Sequence, residues 1–318
     1  MNNLHSKEIL EDVATQLQFS SPAYVEKDCY LTHALHAIST IDNENFKLIF
    51  AGGTCLAKAY RIIGRMSEDI DFKITLSDLM LHANKSLLRK KISEFKQEIF
   101  NALANFGFIV HPEKIRSRDN NSYTNIVLDH SSFFENTVSL RPHLMLEFTL
   151  SKLRIAPIIL PVQSFVHDVL NGFNSEKSKE LACVSLVETA AEKWVAVTRR
   201  IAAIERGHDT TDETLVRHLY DLYAINKKIN LSEEFFNLVY ETIERDRIKF
   251  KRHHEYIENP ISEITFTLEF LNKNSVWSQY FNDFVLAMTY DKKVVSYNEC
   301  YMNLKNITDR ILRSEKNE

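Results

Sequence analysis

The sequence is framed by a glycine pair placed between two short strands. An apolar run, Leu48 to Ala51, leads into Gly52-Gly53, and a helix is expected to start at Thr54 and carry Lys58 one turn on. Soon afterwards Arg65-Met66-Ser67-Glu68-Asp69-Ile70-Asp71-Phe72 reads as a second strand bearing two carboxylates. The chain has only six glycines and six prolines in 318 residues, so long helices are favoured and an adjacent pair is informative. Asp69 and Asp71 are i and i+2 on a strand, so both side chains leave one face, with Cα atoms roughly 7 Å apart. Ile70 and Phe72 point the other way, into a core. Two converging carboxylates repel unless a cation lies between them. The simplest remedy is a divalent metal with oxygen ligands, Mg²⁺ where phosphate shares the site and Mn²⁺ as its substitute.

Gly52 and Gly53 permit a tight turn and close approach of a ligand to the backbone amides. The expected helix behind them offers free N–H groups and a positive dipole end to an anion, with the Thr54 hydroxyl and Lys58 nearby. Triphosphate bridged to a metal on Asp-x-Asp is chemistry for nucleotidyl transfer. A Walker loop is excluded, because Gly-x-x-x-x-Gly-Lys-Ser/Thr is absent. Gly52-Gly53-Thr54, the following helix and Arg65-x-Ser67-Glu68-Asp69-Ile70-Asp71-Phe72 resemble the first motif of the AbiEii/AbiGii toxin family, which includes MenT-like toxins. That family is a branch of the DNA polymerase β-like nucleotidyltransferases. The resemblance implies an α+β fold: a mixed sheet with flanking helices, followed by a mostly α-helical C-terminal domain.

Composition is that of a globular protein, with 44% hydrophobic and 26% charged residues. The formal net charge of -4 provides no general basic field. Any nucleic-acid contact must rest on clustered Lys and Arg. Cys29, Cys55, Cys183 and Cys300 are widely spaced, without Cys-x-x-Cys, and indicate neither a disulfide framework nor a zinc site. No apolar run approaches a membrane span, so a cytoplasmic location without membrane contact is expected.

Helices are expected over residues 4–20 and 23–38. The second contains Glu26-Lys27-Asp28, which alone reads as a solvated face but also recurs before the first strand in AbiEii-like proteins, implying a supporting role near the site. Residues 76–106 read as mostly helical. Strands at 108–111 and 123–128 are expected to flank a polar loop, 113–122, that carries Lys114, Arg116 and Arg118. Residues 144–150 alternate cleanly as a strand, with Leu144, Leu146, Phe148 and Leu150 on one face and Glu147 on the other. Within the superfamily resembled, a third carboxylate on a neighbouring strand completes the metal site, and Glu147 is the candidate. Arg141 and His143 stand just before that strand within reach of a substrate, though their spacing is not diagnostic. Pro157 to Pro161 reads as an extended connection. A boundary is expected there, giving a nucleotidyltransferase domain over 1–161 and a helical domain over 162–318 that completes the cleft. Helices are expected at 185–204, 214–225, 233–245, 261–271, 277–288 and 295–312, with a turn at 256–260 and a frayed end from Ser314.

Glu188-Thr-Ala-Ala-Glu192-Lys193-Trp194…Arg199-Arg200 and Arg217-His218-Leu219-Tyr220-Asp221-Leu222 are ordinary helical charge patterns by spacing. They also resemble the later motifs of the AbiEii-like family, which implies that Lys193 contacts nucleotide phosphates and that Asp221 lies in the active cleft, to position a base, a metal-bound water or Lys193. His218 departs from the aspartate found in relatives. The resulting expectation is a metal-dependent nucleotidyltransferase with two Mg²⁺ ions about 4 Å apart on Asp69, Asp71 and Glu147. Thr54 and the Gly53 amide would orient the NTP. Lys58, Arg65 and Lys193 would meet the charge that builds up, and Ser67 would orient a phosphate or cap the turn. The family resemblance further implies a toxin paired with a separate antitoxin, acting on an RNA such as the tRNA 3′ acceptor end. The alternatives are transfer to a small-molecule hydroxyl and a silent nucleotide-binding module that regulates a partner. Intact Asp69, Asp71, Lys58 and Lys193 speak against the silent module.

Overall fold

The computed structural model describes residues 4–135, 140–171, 178–291 and 294–315. Two compact units emerge: one of residues 1–61 and 66–184, the other of residues 62–65 and 185–318. The boundary falls at Val184/Ser185, later than the expected 161/162, because two further strands belong to the sheet.

The first unit begins with α1 (Lys7–Leu17) and α2 (Ala23–Ile38). Then come β1 (Phe46–Ala51), α3 (Gly52–Lys58) and β2 (Asp69–Leu76). The long helix α4 (Lys85–Asn105) is capped by Asn84, whose side chain accepts the Leu87 amide at 2.9 Å. β3 (Val110–Arg118), β4 (Tyr123–Asp129) and β5 (His143–Leu150) follow. β6 (Ile158–Val162), α5 (Phe165–Asn171) and β7 (Lys179–Cys183) complete the unit. One seven-stranded sheet runs in the order β3-β4-β5-β2-β1-β7-β6. It is mixed: β2/β5 and β1/β7 are parallel, and the other neighbours are antiparallel.

Alternation fixes which way the central strands face. Ile70 and Phe72 of β2, with Leu146 and Phe148 of β5, are buried, while Asp69, Asp71, Met145 and Glu147 between them are partly exposed. Phe50, Phe72 and Phe148 form a run of aromatic contacts across β1, β2 and β5, with ring centroids 5.5 and 5.7 Å apart. Each buried ring contributes about 1.5–3 kcal/mol, and a slip of one residue would turn the whole set outward. Packing of the apolar face thus obliges the carboxylates to share the opposite one.

The stretch expected as a polar loop with Lys114, Arg116 and Arg118 is instead edge strand β3. Backbone pairing with β4 supplies the order that its sparse apolar content does not signal. Pro157 to Pro161, expected as a connection, largely forms the opposite edge strand β6, and β7 lies in a region expected to be all-helical. α3 begins at Gly52, two residues earlier than expected.

The second unit is helical: α6 (Leu186–Glu205), α7 (Val216–Lys228), α8 (Glu233–Lys249), α9 (His254–Glu258), α10 (Pro260–Lys273), α11 (Ser275–Met288) and α12 (Tyr297–Glu315). The expected turn near 256–260 includes the short α9, and helix continues through Ser314 and Glu315; the rest of the expected frayed end lies outside the described residues. α6 starts at its N-cap Ser185, which accepts the Glu188 amide at 3.1 Å, and it buries Trp194, whose indole N–H donates to Thr308 at 3.2 Å. All four cysteines are buried, and none forms a disulfide among the described residues. Among the described residues no helix is long and apolar enough to cross a membrane.

Candidate active site

In the first unit the acidic residues lie on one sheet face. Asp71 is paired in register with Glu147 across parallel β2/β5, and Asp69 is two positions away opposite Met145. On its other side Asp71 is opposite Ala51, next to Gly52. Gly52 has φ +74°, and a Cβ placed there would lie 1.9 Å from Asp71 Oδ2. Both the backbone conformation and the space therefore call for glycine. Gly53 is buried within the first turn of α3.

The Thr54 hydroxyl is fully buried and donates to the backbone carbonyl of Asp69, which leaves its oxygen to accept from the Ser67 hydroxyl 3.0 Å away. It ties α3 to the start of β2, and Ser67 shares in that tie. This bracing role differs from the direct phosphate contact expected for Thr54. Glu147 Oε1 accepts from Asn125 at 3.3 Å, and burial followed by the Glu147 charge pushes the neighbouring Tyr123 phenol up to about 12. Among the described residues no three of His, Cys, Asp and Glu are gathered as a ready metal cage, and Glu147 lies beside Asp71 in register across β2/β5. Mg²⁺ is nevertheless commonly held by one or two carboxylates together with substrate phosphates. Asp69 and Asp71 fit that requirement. Asp69 already receives a cation, the Arg141 guanidinium, whose Nη1 donates to Asp69 Oδ1.

Glu26-Lys27-Asp28, readable as a solvated face, is buried at 2–3% exposure. Glu26 accepts from the Ser132 hydroxyl and from the Phe133 amide at 2.9 Å. Lys27 donates to the carbonyls of Arg141 and His143 and lies 3.4 Å from Glu68 Oε2. Burial pulls the Lys27 ammonium below its ordinary range, and Glu68 opposes that shift. Asp28 accepts from the Lys58 ammonium through Oδ1 and from the Phe165 amide at 2.8 Å through Oδ2. Burial raises Asp28, with Lys58 working against it. Lys58, expected to meet phosphate, is thus buried and committed to Asp28, with the Phe165 ring centroid 5.0 Å away.

The second unit holds a separate constellation. Arg65 reaches Asp221 with a two-pronged contact, Nε to Oδ1 at 2.7 Å and Nη2 to Oδ2 at 2.8 Å. Lys193 adds 2.8 Å to the same Oδ2. Asp221 is fully buried; burial works against its charge, but Arg65 and then Lys193 outweigh it and hold the carboxyl well below the usual range. Asp221 is placed to orient these two cations, and positioning Lys193 is one of the roles left open for it by the sequence. His218 has a buried Nδ1 without a hydrogen-bond partner among the described residues, and burial followed by Lys193 lowers its pKa to about 3. It therefore stays neutral at physiological pH.

Sequence spacing alone does not join Arg141 to Asp69 or to Glu68, although Glu68 lies in the aspartate motif and Arg141 just before the neighbouring strand. The available signal was Arg141-Pro142 at the entry to a strand, since a residue before proline is held extended.

A mixed sheet with two aspartates beside a glycine turn, followed by a helical unit, is the arrangement expected of a nucleotidyltransferase. The profile described as "Nucleotidyl transferase AbiEii toxin, Type IV TA system" matches residues 37–295, most of the chain. The chain belongs to this family of nucleotidyltransferase toxins. A solved structure, "MenT4, nucleotidyltransferase toxin Rv2826c from Mycobacterium tuberculosis H37Rv", is similar at 17% identity and TM-score 0.41, covering 94% of this chain and 98% of that one. None of the curated proteins matches significantly. Membership in a toxin–antitoxin family implies an antitoxin partner and an NTP substrate.

Proposed function

We propose that the protein transfers a nucleoside monophosphate from an NTP to an RNA hydroxyl, such as the tRNA 3′ acceptor end, and that Asp69 and Asp71 hold the divalent cation this requires. The observation that carries this reading is the placement of both aspartates on the open face of β2, with Gly52 leaving room for the Asp71 carboxylate. Mg²⁺ or Mn²⁺ there would supply positive charge to the phosphates and acidify the acceptor hydroxyl.

The chain's own residues do the rest. Thr54 and Ser67 brace the glycine turn against β2, so the Gly52-Gly53 backbone can lie close to a phosphate. Asn125 orients Glu147 beside Asp71. In the helical unit, Asp221 holds Lys193 and Arg65 as oriented cations, and Lys193 is the phosphate-binding candidate. The acceptor hydroxyl gives up its proton to water as its oxygen attacks the α-phosphorus in line, and the bond from the α-phosphorus to the bridging oxygen breaks as pyrophosphate leaves.

The test is incubation of the purified chain with each of the four labelled NTPs and total tRNA. Mg²⁺-dependent labelling of RNA is expected with at least one NTP, falling by a factor of about 10³ or more in Asp69→Asn. RNA labelling that persists in Asp69→Asn or without divalent cation would sink this reading, and label appearing only on small molecules would redirect it to the small-hydroxyl alternative.

A further inference from the structure

The reading above calls for cations beside the acidic face of the first unit. A nucleoside triphosphate carries several negative charges, the chain as a whole has a net charge of -4, and Lys58 is committed to Asp28. One guanidinium does lie at the acidic face. Arg141 donates to Asp69, and its side chain retains 36% exposure.

Its backbone is unusually well held for a residue at the entry to a strand. The Arg141 amide donates to Glu68 Oε2 at 2.8 Å, and its carbonyl accepts from Lys27, which also grips the carbonyl of His143 at 2.6 Å. Glu68 and Lys27 are each 3% exposed at the side chain and 3.4 Å apart. Pro142 adds its own restriction on the Arg141 backbone. A buried ion pair that spends both partners on one backbone is costly to desolvate and is weak evidence for stability alone. It holds the Arg141 Cα while leaving the guanidinium partly exposed.

We propose that Arg141 is the triphosphate-binding cation of the first unit, exchanged between Asp69 and the substrate, and that Lys27 and Glu68 are the residues that position it. The inference rests on the reading of Asp69 as a metal ligand. A divalent cation and a guanidinium compete for the same carboxylate, because like charges at that distance repel. When the cation takes Asp69, Arg141 is released from the carboxylate but remains anchored by its backbone beside it. The anion arriving with that cation is the triphosphate, whose paired oxygens match the guanidinium fork. The buried Glu-Lys-Asp run in α2 thereby acquires two jobs: Lys27 holds the Arg141 backbone, and Asp28 holds Lys58.

The test uses the full chain, with Mn²⁺ and a non-hydrolysable nucleoside triphosphate as probes in titration calorimetry. Arg141→Gln is expected to bind Mn²⁺ alone about threefold more tightly and Mn²⁺-nucleotide about tenfold more weakly, with Arg141→Lys in between. Unchanged or tighter nucleotide binding in Arg141→Gln overturns the proposal. Asp69→Asn separates this from the underlying reading. If that variant binds Mn²⁺ as the natural chain does, the metal reading fails and the exchange fails with it. Loss of Mn²⁺ in Asp69→Asn beside an unaltered Arg141→Gln overturns only the role of Arg141. Lys27→Met combined with Glu68→Gln removes the buried pair together and is expected to reproduce the nucleotide defect while keeping a cooperative circular-dichroism melt. Pro142→Ala, which loosens the same backbone, takes its place if that double variant unfolds. Natural nucleotide affinity in the folded variant would overturn the positioning role.

Discussion

At the residue scale, Gly52 and Asp221 are the positions where a small change should have a large effect. Gly52→Ala puts a methyl 1.9 Å from Asp71 Oδ2 at a φ of +74°. It is expected to cost about 1–3 kcal/mol of stability and to lose Mn²⁺ binding, because the carboxylate must move. Titration of Gly52→Ala with Mn²⁺ checks this, and natural affinity would show that Asp71 has room to spare. Asp221→Asn leaves Arg65 and Lys193 buried without their shared counter-charge, a change that typically costs 3–5 kcal/mol. The folded-state pKa of Asp221 lies below the ordinary carboxylate value of about 3.9. Its stabilisation is therefore complete above that pH and lost as pH falls through and below it. Urea unfolding at pH 7 and pH 3 should show a smaller acid-induced loss in Asp221→Asn than in the natural chain; equal losses would refute the linkage. Asp69 and Asp71 were legible from spacing because strand geometry alone forces them onto one face. The fate of Lys58 and of Glu26-Lys27-Asp28 was not, because spacing does not say which face of a helix a fold will cover.

At the scale of elements, the sheet edges differ in chemistry. β3 carries Glu113, Lys114, Arg116 and Arg118, charges that discourage pairing with another chain. β6 exposes Ile158 and Ile159 at 45% and 57%. Ile159→Lys is expected to leave unfolding free energy within about 0.5 kcal/mol of the natural chain while raising the concentration at which it aggregates, measurable by light scattering. A fall in stability would mean that Ile159 is covered. The central strands could be read because an apolar face alternates with a polar one. Most of β3, and β6 and β7, could not, because their order comes from backbone pairing and not from an apolar alternation of their own. Helices α6 to α8 and α10 to α12 were legible from period alone, since their cores are built from local repeats.

At the scale of the whole molecule, the chain passes from one compact unit to the other and back within a single motif: Arg65 belongs with Asp221, and Ser67 with Thr54. That division is invisible to sequence spacing, where Arg65 and Asp69 read as one cluster. The inward placement of all four sulfur atoms has a practical consequence. Burial also pushes the Cys29 and Cys300 thiols far above their ordinary range, which keeps them poor nucleophiles near neutral pH. Maleimide dyes will accordingly favour an engineered surface cysteine over the native ones. A donor and an acceptor fluorophore attached at such sites can then report, by energy transfer, whether the distance between them changes when nucleotide is added.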